Sequence, residues 1–193
     1  MNQAKQSIVY AFIDSQNLNL GVRSQGWQID YQKLRLYLKN KYNVTKAFLF
    51  IGLVVGNERL YEQLQNAGFI LIFKPTVRYI QDGRDTVKGN VDAELVLHAA
   101  AIEYANYDQA LIVSGDGDFR CLIEFLIAHN KLARIMTPNR NYSRLLHQFT
   151  TYIVSVDRLR ERLEYTTKNQ LTRSVETLGG AGETSRSSGR SKP

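Results

Sequence analysis

The chain has 193 residues, 44% of them hydrophobic, which is enough to bury one good core and too few to make two ordinary domains the expectation. A formal net charge of +7 and a pI of about 9.5 favour an anionic partner such as nucleic acid; five basic and two acidic residues follow Tyr165, so about four of those charges stay with the folded part. The one cysteine, Cys121 in an apolar run, excludes an intrachain disulfide and reads as a buried small hydrophobe, while Met-Asn-Gln-Ala-Lys-Gln followed by an apolar stretch broken at Asp14 fits neither a secretory leader nor a membrane span, so a cytoplasmic protein with no membrane partner is expected.

Short β-branched and aromatic runs alternate with amphipathic stretches, the pattern of βαβ units and a parallel sheet. Ser7–Ile13 reads as the first strand and is followed by a polar connection. Asp30 then caps a helix with Tyr31, Leu34, Tyr37 and Leu38 on one face, and Val44–Ile51 returns as a strand. Glu58–Ala67 reads as a helix, with Gly68 placed to end it and Phe69–Phe73 as a buried strand. Arg78–Gly89 is polar, contains Asp82-Gly83 and lacks a clear period, so a mobile loop is expected there, longer than a mere connector needs.

Val91–Tyr104 reads as a strong helix with Val91, Leu95, His98 and Ile102 along one stripe. Ala110–Val113 is a buried strand running into Ser114-Gly115-Asp116-Gly117-Asp118. A helix over Phe119–Ala128, a strand over Leu132–Met136, a helix over Ser143–Phe149 capped by Ser143, a strand over Tyr152–Val156 and a closing helix over Asp157–Tyr165 complete the pattern. One domain over residues 1–165 is therefore expected. Residues 166–193 are rich in Ser, Gly, Thr and Arg, with too few large apolar groups to offset the entropy of ordering, and read as a disordered basic tail.

Acidic residues lie at the edges of apolar elements in three places. Asp14 ends the first strand in Phe-Ile-Asp-Ser-Gln-Asn, Asp92 opens a helix in Gly-Asn-Val-Asp-Ala-Glu-Leu, and Asp116 and Asp118 follow the fourth strand in Ser-Gly-Asp-Gly-Asp-Phe. Loops leaving the C-terminal ends of neighbouring parallel strands share one edge of the sheet, where ligands bind. If the first and fourth strands are neighbours, four carboxylates converge, and their repulsion is relieved by a cation or by raised pKa values. Oxygen-only ligands select a hard ion, Mg2+ or Mn2+; one Cys and three scattered His make no zinc pattern. An ion so held activates a water against a phosphorus, which describes a hydrolytic nuclease. No P-loop, glycine fingerprint or Ser-His-Asp arrangement is present to suggest another chemistry.

These same residues bring a family into view. Phe-Ile-Asp-Ser-Gln-Asn resembles the opening Asp-x-x-Asn of NYN domains, the branch of PIN-like metal-dependent ribonucleases that includes LabA-like bacterial proteins. Lys-Gly-Asn-Val-Asp-Ala-Glu-Leu and Ser-Gly-Asp-Gly-Asp-Phe resemble its second and third motifs, in order, over roughly Ile8 to Val156. The resemblance implies a three-layer α/β/α sandwich of PIN-like type with a mainly parallel central sheet, and metal-dependent endoribonuclease activity. It makes Asp14, Asp92, Asp116 and Asp118 the acidic, metal-holding cluster, supported by hydrogen bonds from Asn17 and Ser114. Many relatives carry a further aspartate about a helical turn after the Asp92 position, where this chain has His98, which also reads as a helix histidine packed on the sheet.

The bland readings compete. Asp14 suits a turn cap and Asp118 a helix N-cap, but capping does not explain two carboxylates paired between glycines. Lys88, Arg78 and Arg84 before the Asp92 helix, and Arg120, Arg140 and Arg144 after later strands, are candidates for contacting RNA phosphates, against plain surface charge for each alone. Tyr79, Trp27 and Tyr142 stand in polar connections where an aromatic can stack on unpaired bases, single-stranded or structured RNA being the partner considered. The rival function is a PIN-like module without catalysis that binds RNA or protein. A haloacid-dehalogenase-type phosphohydrolase ranks last, since Gln16 stands where that chemistry needs a second aspartate. Homodimerisation through an apolar edge strand is open, with no feature identifying an interface.

Overall fold

In the computed structural model the described residues are 7–75, 77–81, 84–88 and 92–166, those between 75 and 88 by their backbone alone. Among the described residues eight strands run in chain order: β1 (Val9–Asp14), β2 (Val44–Leu53), β3 (Ile70–Pro75), β4 (Val77–Gln81), β5 (Arg84–Lys88), β6 (Gln109–Val113), β7 (Leu132–Thr137) and β8 (Ile153–Ser155). Six of them form one sheet in the order β3-β2-β1-β6-β7-β8, every neighbouring pair parallel. The order reverses between β1 and β6. Loops leaving these two strands therefore diverge to opposite sides and open a crevice at the C-terminal edge, the place where such sheets take ligands.

Strand alternation divides the core into two layers. Ala11, Ile13, Leu49, Leu111, Val113 and Met136 face one side, against Leu18, Val22, Leu34, Leu38 and Leu163. Tyr10, Phe12, Phe48, Phe50, Ile112 and Ile135 face the other, against Leu95, Ala99, Leu122, Ile123, Leu126 and Leu146. The result is the expected three-layer α/β/α sandwich. Each fully buried Leu, Ile or Phe contributes about 1.5–3 kcal/mol relative to exposure, so the layers rather than helix propensity hold the strand ends in place.

On the first face lie α1 (Ser15–Arg23) and α2 (Tyr31–Tyr42), followed in sequence by α3 (Glu58–Asn66). Asp30 caps α2 as its sequence suggests, its Oδ1 accepting from the N–H groups of Gln32 and Lys33 at 2.9 and 3.1 Å. Gly68 sits at φ +92° just past α3, a conformation that favours glycine. On the second face lie α4 (Asp92–Leu97) and α5 (Arg120–Ala128), and α6 (Arg160–Leu163) closes the chain's described part. Among the described residues no helix is long and apolar enough to cross a membrane.

Several expectations are corrected. The polar connection after Asp14 contains α1: Leu18 and Val22, four residues apart, are both buried, while the polar residues between them conceal the stripe. Of the loop expected over Arg78–Gly89, residues 78–81 and 84–88 are strand instead, β4 and β5 pairing as a separate antiparallel ladder with Gln81 opposite Arg84, while residues 82, 83 and 89 lie outside the described residues. The physical signal was present, because Asp-Gly between two β-branched and aromatic runs favours a two-residue hairpin connection.

The single helix expected through Tyr104 is α4 followed by a wider π turn, His98–Ile102, and a 3-10 turn, Tyr104–Asn106. Within it the Tyr107 hydroxyl donates to the Ala99 carbonyl, an inserted side chain of the kind that interrupts a regular ladder. The helix expected over Ser143–Phe149 is a 3-10 segment, Arg144–Tyr152, and α6 is preceded by another, Val156–Leu159. Cys121 is exposed rather than buried, because Leu122, Ile123 and Leu126 take the inward face of α5. Trp27 is buried in the core and does not offer a stacking face. Of the expected tail, residues 167–193 lie outside the described residues.

Candidate functional site at the sheet edge

Asp14 is the last residue of β1 and the N-cap of α1, with only 4% of its surface exposed. Its Oδ1 accepts the Asn17 backbone N–H at 3.0 Å, and its Oδ2 accepts a long hydrogen bond of 3.4 Å from the Ser114 hydroxyl. The Asn17 side-chain oxygen in turn accepts the Gly115 N–H at 2.8 Å. Beyond Ser114 the chain turns on its own side chains: the Asp116 N–H donates to Ser114 Oγ at 3.1 Å, and the Asp118 N–H to Asp116 Oδ1 at 3.1 Å. The first turn of α1 and the loop after β6 are thus one hydrogen-bonded unit.

Electrostatics identify which carboxylates share this space. Burial is the main cause that pushes the Asp14 carboxyl up to about 6, and the negative charges of Asp92 and Asp116 push it the same way. Backbone N–H groups of Asn17 and Gln16 oppose the rise. Asp92 opens α4 and is half-buried, as is Asp116. Asp92 and Asp116 thus lie near enough to Asp14 for their charges to act on it, and Asn17 and Ser114 brace Asp14 and the Asp116 loop. Asp118 is exposed, and its backbone rather than its carboxylate joins the unit. Among the described residues no three His, Cys, Asp or Glu side chains close on a common ion position.

His98 packs its ring against Phe50 at 5.4 Å and Phe48 at 6.1 Å, so the reading of a histidine packed on the sheet holds. Two features were missed. Glu94, two residues after Asp92, is paired with Lys74 at 2.8 Å, and that hydrogen bond holds its carboxyl below the usual range. Thr137 and Ser155 extend the Asp14–Ser114 pair into a polar row across four strands. Ile13 pairs with Val113, Val113 with Met136, and Thr137 with Ser155, so these four polar residues stand on one face at one level of the sheet. All four are buried, and the Thr137 and Ser155 hydroxyls have no hydrogen-bond partner among the described residues. A polar residue ending each of these neighbouring strands was the available signal.

The basic candidates divide. Arg140 is paired with Asp157 at 3.3 Å yet 69% exposed, Arg144 is exposed, and Arg120 is half-exposed with Glu124 at 2.8 Å. Arg78 stands on β4 and Arg84 and Lys88 on β5, where only the backbone is described.

A family model for the NYN domain matches residues 9–160. The chain belongs to the NYN domain family. That family is PIN-like and nuclease-related. The low amplitude and bright protein LabA of Synechococcus elongatus is 24% identical over 163 residues, which cover 80% of this chain and 87% of LabA. A crystal structure of a Vibrio parahaemolyticus protein of unknown function has the same fold, with a TM-score of 0.67, 23% identity, and coverage of 86% of this chain and all of that one.

Proposed function

We propose that this chain is a metal-dependent ribonuclease that hydrolyses RNA phosphodiesters at the crevice between β1 and β6. The observation that carries the reading is Asp14: a carboxylate buried at the topological switch point and raised to about 6, beside two further carboxylates. A strand end so placed is costly for stability alone, since burial without a cation partner disfavours the charged form.

The donor chemistry fits a hard divalent ion. Asp14, Asp92 and Asp116 offer oxygen ligands only, with Asp118 exposed at the rim of the same loop, and Mg2+ or Mn2+ suits such a set. When bound, such an ion offsets charge on phosphate oxygens and eases deprotonation of a water. The chain's own share is positioning. Asn17 fixes Gly115, Ser114 spans Asp14 and the Asp116 N–H, and burial of Asp14 keeps its carboxylate poorly solvated. Arg140 and Arg144, with Arg78, Arg84 and Lys88 on the hairpin, supply phosphate affinity without sequence preference.

Residues 1–165 serve as the catalytic unit in this reading, in the cytoplasm, with the basic segment 166–193 as an accessory arm. The second reading, a non-catalytic module that binds RNA or protein, is favoured by one observation: no three ligand side chains among the described residues meet at one ion position. Calorimetric titration of Mn2+ into the full chain separates the two. The nuclease reading expects binding that vanishes in Asp14→Asn/Asp116→Asn; heat indistinguishable from dilution in wild type, with and without a non-cleavable RNA analogue, supports the module.

A further inference from the structure

We infer that the exposed His147 ring, braced edge to face by Tyr142, is a stacking face for one unpaired nucleobase of the bound strand, beside the Asp116 loop. The inference rests on the reading of this site as RNA-directed and adds the element that would select single strands.

Tyr142 follows β7 in a segment clamped to the acidic loop. The N–H of the next residue, Ser143, donates to the Gly115 carbonyl at 2.9 Å. A Cβ placed on Gly115 would lie 3.2 Å from Tyr142 Cβ, so the base of the tyrosine side chain is in contact with the backbone one residue before Asp116. The ring is half-buried and meets the His147 ring edge to face, with centroids 5.3 Å apart and planes at 77°. His147 lies on the 3-10 segment whose Leu146 and Phe149 are buried in the core, which holds its own exposed ring on the outer side.

Tyr142 packs one side against the second core layer, while His147 is exposed, so the pair is anchored and still leaves ring surface to solvent. Exposed Arg140 and Arg144 flank Tyr142 in the chain and supply the charge that a polyanion requires. Aromatic rings beside cations are how proteins hold unpaired bases, whereas a duplex keeps its bases stacked on one another and offers these rings nothing to cover. The occupant is therefore a single-stranded segment, with a base on the His147 ring and Tyr142 holding that ring in place.

The test is fluorescence anisotropy of a labelled oligouridine of roughly ten nucleotides on the full chain in EDTA, so that no cleavage occurs. His147→Ala is expected to weaken binding by about 5- to 150-fold, the usual range for loss of one stacked base, and Tyr142→Ala to weaken it as well, while Tyr142→Phe binds like wild type. An abasic oligomer of the same length should bind all forms alike. Because His147 is exposed, its variant carries the test even if Tyr142→Ala lowers the melting temperature. His147→Ala binding like wild type, wild type failing to bind the oligouridine, or the abasic oligomer losing the same affinity, overturns the platform. Repeating the assay in Asp14→Asn/Asp116→Asn separates the two ideas: base-dependent binding that survives there stands whether or not the protein cleaves RNA.

Discussion

The Asn17 side-chain oxygen accepts the Gly115 backbone N–H at 2.8 Å, a bond between residues 98 apart in sequence that ties the first turn of α1 to the loop carrying Asp116. Asp14 binds the same asparagine through its backbone N–H at 3.0 Å, so one residue sets the spacing of two carboxylates.

Asn17→Ala leaves the Gly115 N–H without its protein partner. The expected cost is about 1–2 kcal/mol of stability, read by urea denaturation, together with a loss of Mn2+ affinity of roughly tenfold or more. Equal metal binding by the variant and wild type would show that Asn17 braces the fold and not the site.

Asp14 makes a pH prediction of unusual sign. Its carboxyl is raised from 3.8 to about 6, so the folded state binds the proton more tightly than the unfolded state. The associated stabilisation is fully present below about pH 4 and is lost as pH rises through 6; its size is on the order of 3 kcal/mol from this group alone. Metal-free wild type should therefore lose stability between pH 4 and 6.5 relative to Asp14→Asn, and the variant should be the more stable of the two at pH 7. Parallel denaturation curves for the two proteins across that window would contradict the assignment.

Gly21 approaches the loop after β7 closely: a Cβ there would lie 2.5 Å from Pro138 Cβ, and its carbonyl accepts the Asn139 side-chain amide at 2.8 Å. Gly21→Ala should cost about 1–3 kcal/mol, since a rigid proline ring must move. A variant with an unchanged melting temperature would mean that α1 and this loop are less tightly packed than described.

Cys121 should react with a thiol reagent in the native protein without denaturant, because it is exposed on α5. Labelling that awaits unfolding would restore the buried position that its apolar neighbours in sequence suggest.

Much of this was legible in the residues. Strands ending at Asp14 and Val113 could be read from their apolar runs, and the βαβ pattern made a common edge for Asp14 and Asp116 conditional on β1 and β6 being neighbours, which they are. What the sequence concealed has physical causes. The stripe of α1 is only two large residues wide, Leu18 and Val22, within polar surroundings. The β4–β5 hairpin was hidden by its polar residues, although Asp82-Gly83 marks it. The polar row through Thr137 and Ser155 depends on lateral register, which no single strand carries. Asp118 looked equivalent to Asp116 by spacing, but the turn that Asp116 caps leaves it exposed.

The central claim is hydrolysis at Asp14, and cleavage of labelled RNA by the purified chain in Mn2+ tests it directly. The account predicts time-dependent cleavage that EDTA stops and that Asp14→Asn and Asp116→Asn each reduce by at least about a hundredfold, with both variants folded. Cleavage by these variants at the wild-type rate, or none by wild type, would contradict it.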